Sequence, residues 1–128
     1  MKSRGFTLIE VLIVITLIVI LASVGMPLYT NAVHRAQEAT LKENLFRMND
    51  AIDQYYADKS KYPQSLEDLV TDGYLREIPE DPMTDSAETW VTEPAEPDPN
   101  NPATEPGVYR VKSGSDRTAT DGSQYSDW

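Results

Sequence analysis

The stretch that decides the fold reads Lys-Ser-Arg-Gly-Phe-Thr-Leu-Ile-Glu, residues 2–10, and opens a long apolar run. Two cations and then Gly5 stand before this run. A secretory signal peptide instead places its small-residue cleavage site after the apolar segment. A cut after Gly5 would therefore leave the apolar segment on the protein, with a new amino terminus at Phe6.

The apolar run covers residues 6–28 and is hydrophobic on all sides. At about 1.5 Å per residue, such a helix is long enough to cross a bilayer. The cations before it favour a cytoplasmic amino end, with the rest of the chain across the membrane. Its one charge is Glu10, which costs a few kcal/mol in a bilayer unless it finds a partner. The sequence therefore predicts a functional role for Glu10, against the simpler alternative of a plain membrane anchor.

This arrangement resembles the prepilin signal of type IV pilins and type II secretion pseudopilins. Gly5, Phe6 and Glu10 all stand where that motif has them. The resemblance implies that prepilin peptidase removes residues 1–5 as a leader and that Phe6 becomes N-methylated. It also implies that Glu10 pairs with the Phe6 amine of a neighbouring subunit during assembly. Two buried charges of opposite sign are more tolerable together than apart, which agrees with this pairing.

Residues 29–58 continue the helix with an amphipathic pattern. Apolar side chains recur at steps of four and three, and the polar residues between them, including Asn49, predict a solvated face. Pro27 predicts a kink or a locally melted stretch near the start of this half. The apolar positions are Leu41, Leu45, Met48, Ile52 and Tyr55. This seam is too short for a coiled coil and favours a compact head packed on the helix.

Residues 59–128 are predicted to form that head. A short helix is expected at residues 65–70, and strands are expected at residues 90–91 and 108–112. Tyr109 and Val111 would share the face that packs on the helix. The segment 92–106 holds five of the nine prolines and four acidic residues, which favours a solvated loop over a partner-binding one.

The fold class predicted is thus α+β and pilin-like. A long N-terminal helix, half transmembrane and half amphipathic, packs against a small antiparallel β-sheet, and a loop follows at the C-terminal end. The motif Lys-Tyr-Pro-x-Ser-Leu-Glu-Asp-Leu-Val and the later Gly-Tyr-Leu-Arg-Glu-Ile-Pro-Glu-Asp-Pro resemble the major pseudopilins of type II secretion.

That resemblance implies a structural subunit of a periplasmic pseudopilus that drives type II protein secretion. It implies a homopolymer that works with an inner-membrane assembly platform and minor pseudopilins. The subunit would cross the inner membrane once before assembly, with its head in the periplasm. The alternative is a type IV pilin of a surface pilus used for adhesion, motility or DNA uptake.

Composition narrows the remaining classes of function. The chain has no cysteine, which removes disulfides and thiol chemistry. Its formal net charge of −10 argues against nucleic acid as a partner. No nucleophile–base set, glycine-rich phosphate loop or histidine cluster is present, so we do not expect an enzyme.

The resemblance also implies a calcium ion in the C-terminal loop, held by two aspartates and backbone carbonyls. Asp116 stands where the first aspartate is expected. Gln124 occupies the approximate place of the second, so Asp121 or Asp127 would have to substitute. We therefore expect Asp116 and Asp121 as calcium ligands. The alternative is an Asx-turn loop that holds no ion.

Overall fold

The computed structural model describes residues 5–103 and 105–128. In chain order its elements are helix α1 (Leu8–Lys59), helix α2 (Leu66–Thr71), strand β1 (Val91–Pro94), strand β2 (Val108–Lys112) and a 3₁₀ turn (Tyr125–Asp127). The chain forms two compact units, one up to residue 35 and one from residue 36 onward. The second unit therefore begins inside α1, and each unit is described by itself.

The first unit is the N-terminal part of α1. Thr7 precedes the helix, and its hydroxyl oxygen accepts a hydrogen bond from the Glu10 backbone N–H at 3.2 Å. This is the Thr-x-x-Glu arrangement typical of a helix start. The helix continues without interruption through Pro27, so of the two effects predicted there, local melting does not occur.

The apolar run has the length and composition of a membrane span. Within the described residues, α1 is the one helix long and apolar enough to cross a bilayer, and its apolar window is not buried inside the chain. Its hydroxyls bond back to helix carbonyls, as Thr16 does to Leu12 (2.7 Å) and Ser23 to Ile20 (2.7 Å). The hydrogen bonds of these hydroxyls are thus made within the helix, as a segment in lipid requires.

The second unit is built on the other part of α1. The buried face of the helix carries the predicted apolar seam, which confirms the periodicity argument. Helix α2, strand β2 and the 3₁₀ turn contribute residues to the same hydrophobic cluster, and Trp90, which directly precedes β1, also belongs to it. Its members beyond α1 are Leu66, Leu69, Met83, Trp90, Val108, Val111, Ala119 and Tyr125. The predicted α+β, pilin-like fold class is confirmed.

The β-sheet has two antiparallel strands and an irregular register. Glu93 pairs with Arg110 and Pro94 with Val108, so the register shifts between them and Tyr109 has no partner. The extra residue breaks the alternation of faces along β2. Val108 and Val111 are consequently buried, while Tyr109 is exposed. The prediction that Tyr109 packs on the helix with Val111 is wrong for this reason.

Asn49 ties the sheet to the helix. Its side-chain oxygen accepts the Val111 N–H at 2.9 Å, and its amide nitrogen donates to the Val111 carbonyl at 3.4 Å. The side chain therefore pairs with both backbone groups of one strand residue, as a neighbouring strand would. The sequence pattern placed Asn49 on the solvated face, and that prediction is wrong.

The proline-rich acidic segment is partly structured. Its first residues lie in β1, and Ala95 is buried and donates its N–H to the Gly107 carbonyl at 2.8 Å. Most described residues from 96 to 106 are exposed and belong to no helix or strand, as a solvated loop requires. The loop prediction thus holds for the later part of the segment and fails for the part that enters the sheet.

The C-terminal end of β2 leads into a close backbone approach at Gly114. A Cβ at this position would collide with the Thr89 carbonyl oxygen, a backbone atom that cannot rotate away. We expect Gly114→Ala to lower the free energy of unfolding by about 3 kcal/mol, as overpacking does. Chemical denaturation of the full chain in detergent micelles measures this loss.

Gly122→Ala is the matched control for that substitution. Gly122 has open space around it but a φ of 90°, so an added Cβ meets only backbone strain. We expect a loss of about 1 kcal/mol there. Equal losses at the two glycines would contradict the close approach at Gly114.

Candidate assembly site and C-terminal loop

The predicted assembly residues lie at the exposed beginning of the first unit. Phe6 is 83% exposed and Glu10 is also exposed. Among the described residues, no other side chain of the chain contacts the Glu10 carboxylate through a hydrogen bond or an ion pair. Residues 1–4, which form most of the predicted leader, lie outside the described residues.

The position of Glu10 within α1 is electrostatically favourable. It lies in the first helical turn, where unpaired N–H groups and the helix dipole give a partial positive charge. An acid is better tolerated there than in the middle of the apolar run. The segment therefore presents to its surroundings an apolar helix with a single carboxylate near its amino end.

The two predicted calcium ligands occupy different environments in the C-terminal loop, residues 113–128. Asp116 is exposed, and its carboxylate has no hydrogen-bond partner among the described residues. One oxygen of Asp121 accepts hydrogen bonds from the Ser123 hydroxyl (2.6 Å) and the Ser123 N–H (2.9 Å). These bonds, with the nearby Lys42 ammonium, hold the pKa of Asp121 below its usual value.

The donor set of the loop is small for a metal ion. The described part of the chain contains no group of three or more histidine, cysteine, aspartate or glutamate side chains that could hold one. Calcium takes six to eight oxygen ligands. An ion bound to Asp116 and Asp121 would therefore have to draw most of its ligands from backbone carbonyls, hydroxyls and water.

A third carboxylate, Glu38 of α1, holds the loop from inside. Its Oε1 accepts hydrogen bonds from the Tyr125 hydroxyl at 2.7 Å and the Thr120 N–H at 2.9 Å. Its Oε2 accepts the Thr120 hydroxyl at 2.8 Å. Burial alone would raise the pKa of Glu38, but these three donors outweigh it and hold the pKa below its usual value.

Tyr125 is affected by the same contact. Burial, together with the hydrogen bond to Glu38, raises the pKa of Tyr125 to about 12. Its hydroxyl therefore stays protonated and remains a donor throughout the physiological pH range. The lowered pKa of Glu38 and the raised pKa of Tyr125 both agree with one ionised carboxylate that faces neutral donors.

Sequence reasoning missed Glu38. A signal was nevertheless available, because Glu38 lies three residues before Leu41 and seven before Leu45, on the same face of the helix as the apolar seam. An acid on a buried helical face needs a partner, and the partner here comes from more than 80 residues away.

The last residue of the sequence closes the loop over α1. The Trp128 ring packs edge-on against Tyr125 at 5.0 Å, and its indole N–H donates to the Ser123 hydroxyl at 2.7 Å. Lys42 of α1 places its ammonium 4.7 Å from the Trp128 ring centre. Aromatic, cation–π and hydrogen-bond contacts thus hold this end of the loop in place.

The beginning of the loop is tied to the segment after α2. Asp81 is fully buried and accepts hydrogen bonds from the Ser113 hydroxyl at 2.6 Å and the Met83 N–H at 2.8 Å. Arg117 donates to the Met83 carbonyl at 2.6 Å. The loop is therefore anchored at its start, its middle and its end.

Comparisons with known proteins show which proteins this chain is similar to. A family model described as the prokaryotic N-terminal methylation motif matches residues 1–26. The type II secretion system core protein G of Klebsiella michiganensis is 34% identical over 97 residues, 63% of this chain and 68% of that protein. The proteins of the same description from Klebsiella pneumoniae and Escherichia coli K12 are each 32% identical over 97 residues, covering 69% and 67% of their lengths. No solved structure matches this chain at a significant level.

An N-terminal methylation motif that opens an apolar helix, followed by an α+β head on the same helix, defines a prepilin-type filament subunit. Within this class, the chain belongs to the family of the type II secretion system core protein G. It is a pseudopilin, a structural subunit of a type II secretion pseudopilus. The surface pilin alternative has less support, since the Klebsiella and Escherichia relatives are all secretion proteins.

Proposed function

We propose that this pseudopilin is processed after Gly5, methylated on Phe6 and polymerised into a homopolymeric pseudopilus through its N-terminal helix. The match of residues 1–26 to the methylation motif carries this proposal. Exposed apolar side chains along the first unit support it, because so large an apolar surface needs lipid or other subunits to cover it. The prepilin peptidase, the assembly platform and minor pseudopilins are the partners we propose.

The proposed topology places the head in the periplasm. The cations before the apolar run favour a cytoplasmic amino end. A single span then carries residues after the run across the inner membrane. Within that scheme we keep the predicted division into a leader (1–5), a membrane helix (6–28), an amphipathic helix (29–58) and a head (59–128).

We also propose that the chain has no catalytic role of its own. The relatives are secretion-system core proteins, and the one histidine, His34, is exposed on α1. The role proposed for the chain is recognition and packing.

Processing can be tested by the intact mass of the protein extracted from membranes of its host. We expect a mass that corresponds to the loss of residues 1–5 and the gain of one methyl group. Gly5→Leu is the matched control, since a bulky side chain next to the cut should leave the precursor uncleaved. A mature form that begins after the apolar run would show ordinary signal-peptide cleavage and would refute the filament mechanism.

Glu10 is proposed to pair with the Phe6 ammonium of the next subunit. In Glu10→Gln that ammonium stays buried without a partner, which costs about 3–5 kcal/mol. Association between subunits should then weaken more than a hundredfold. We expect a strain that lacks the gene to lose type II secretion and the wild-type gene to restore it. The Glu10→Gln protein should be inserted and processed, but it should restore neither secretion nor filaments.

Thr7→Val is the matched control for this experiment. It removes the hydroxyl that accepts the Glu10 N–H but keeps the carboxylate. If Thr7→Val assembles normally while Glu10→Gln does not, the assembly defect is caused by loss of the charge and not by a change at the helix start. Normal filaments from Glu10→Gln would contradict the charge pair. A deletion strain that loses surface pili but keeps secretion would contradict the secretion role.

Calcium binding in the C-terminal loop is proposed on the resemblance and on the two aspartates present. Asp116 and Asp121 would hold the ion, which would add order to a polar loop. Free calcium at a concentration a hundred times the dissociation constant adds about 2.7 kcal/mol to the free energy of unfolding. We expect millimolar calcium to raise the melting temperature of the full chain in detergent, relative to chelator, and Asp116→Ala to abolish this rise.

Asp98→Ala is the matched control for the calcium test. Asp98 is an exposed aspartate of the proline-rich segment, outside the C-terminal loop. Its substitution should leave the calcium effect unchanged. Identical melts of the wild-type protein with calcium and with chelator would show that calcium does not bind under those conditions.

A further inference from the structure

The C-terminal loop directs hydrogen-bond donors, rather than acceptors, towards α1. The Thr120 N–H, the Thr120 hydroxyl and the Tyr125 hydroxyl converge on one point, with donor–acceptor distances between 2.7 and 2.9 Å. That point is occupied by the carboxylate of Glu38, whose residue is only 8% exposed. Thr120 and Tyr125, which are five residues apart in the loop, thus donate to the same carboxylate.

This polarity is the opposite of that of a cation site. A calcium site needs oxygen atoms aimed inward, from carbonyls and carboxylates. Here the inner side of the loop offers two O–H groups and an N–H, which suit a negative charge. The Asp121 carboxylate is directed to Ser123 instead of to this point, and its charge raises the pKa of Glu38 slightly against the effect of the donors.

The contact is also complete. Within the described residues, no buried side-chain nitrogen or oxygen lacks a hydrogen-bond partner. Three donors to an ionised acceptor make charge-assisted bonds, which are stronger than neutral ones. Removing the carboxylate would leave those donors facing a space without an acceptor, which is costly in a buried position.

We propose that Glu38 is the internal anion around which the C-terminal loop orders, and that the loop forms a carboxylate-binding site that Glu38 itself fills. Order in the loop then does not require a metal ion. Calcium at Asp116 and Asp121, as proposed above, would add to a loop that is already closed. Glu38 acts as a positioning residue: it fixes Thr120 and Tyr125 on α1 and thereby fixes the Trp128 contact that follows.

The experiment is chemical rescue of Glu38→Ala, with hydrogen exchange of residues 117–128 as the readout. It uses the full chain in detergent micelles with chelator present. In the wild type we expect the Thr120 amide to be protected without calcium. In Glu38→Ala its exchange should be about tenfold faster or more, since the loop opens locally. Sodium formate or acetate should restore protection, whereas sodium chloride at equal ionic strength should not.

Two matched variants control this experiment. Glu43→Ala removes an exposed acid of α1 that pairs only with Arg47 among the described residues, and it should leave exchange in the loop unchanged. Tyr125→Phe combined with Glu38→Ala removes one of the converging donors and should weaken the rescue by formate. Rescue that depends on this hydroxyl would show that formate occupies the place of the missing Glu38 carboxylate.

Several outcomes would overturn the proposal. Unchanged protection in Glu38→Ala would show that the loop does not depend on the anion. Failure of formate and acetate to restore protection, or restoration by chloride as well as by formate, would show that a carboxylate site is absent. If Glu38→Ala does not fold, Glu38→Gln keeps the shape and loses the charge, and wild-type protection in that variant would refute the proposal equally.

Discussion

The apolar seam of helix α1 is the feature on which the head depends. The head has no disulfides, and the described residues form only a two-stranded sheet, which is at best marginally stable in water by itself. Side chains from α2, β2 and the C-terminal loop all join the cluster built on that seam. If the helix were removed, the strands, α2 and the C-terminal loop would lose the surface that holds them together.

Three polar contacts then specify how the long loops are arranged on this core. Asn49 pairs with the backbone of Val111, Asp81 accepts from Ser113, and Glu38 holds Thr120 and Tyr125. Each joins residues that are distant in sequence, and each buries a polar group that is costly when unpaired. Such contacts reject alternative registers, because a shift of one residue would leave a buried donor or acceptor without a partner. They fix the geometry of a small head whose apolar core alone would allow several arrangements.

The N-terminal unit has the opposite requirement. Its apolar side chains are exposed around the whole helix, and nothing else in the described chain covers them. The same surface suits lipid before assembly and neighbouring helices afterwards, since both are apolar. In the assembly proposed above, the driving force lies in one helix, and the head is free to carry an acidic surface. In that proposed assembly, the single carboxylate of Glu10 would add register to an otherwise non-directional contact.

The sequence alone determined the parts of this protein that rest on local pattern, and the tertiary structure decided the rest. The apolar run, the seam from Leu41 to Tyr55, helix α2 and strand β2 follow from periodicity, because each is set by residues that are close in the chain. The family was also indicated by contiguous motifs, above all around Gly5 and Glu10. By contrast, the shifted register of β2, the pairing of Asn49 with that strand and the enclosure of Glu38 each need a partner more than 10 residues away. A polar side chain looks the same in a sequence whether it meets water or a distant donor, since burial and hydrogen bonding are set by packing and not by neighbours in sequence.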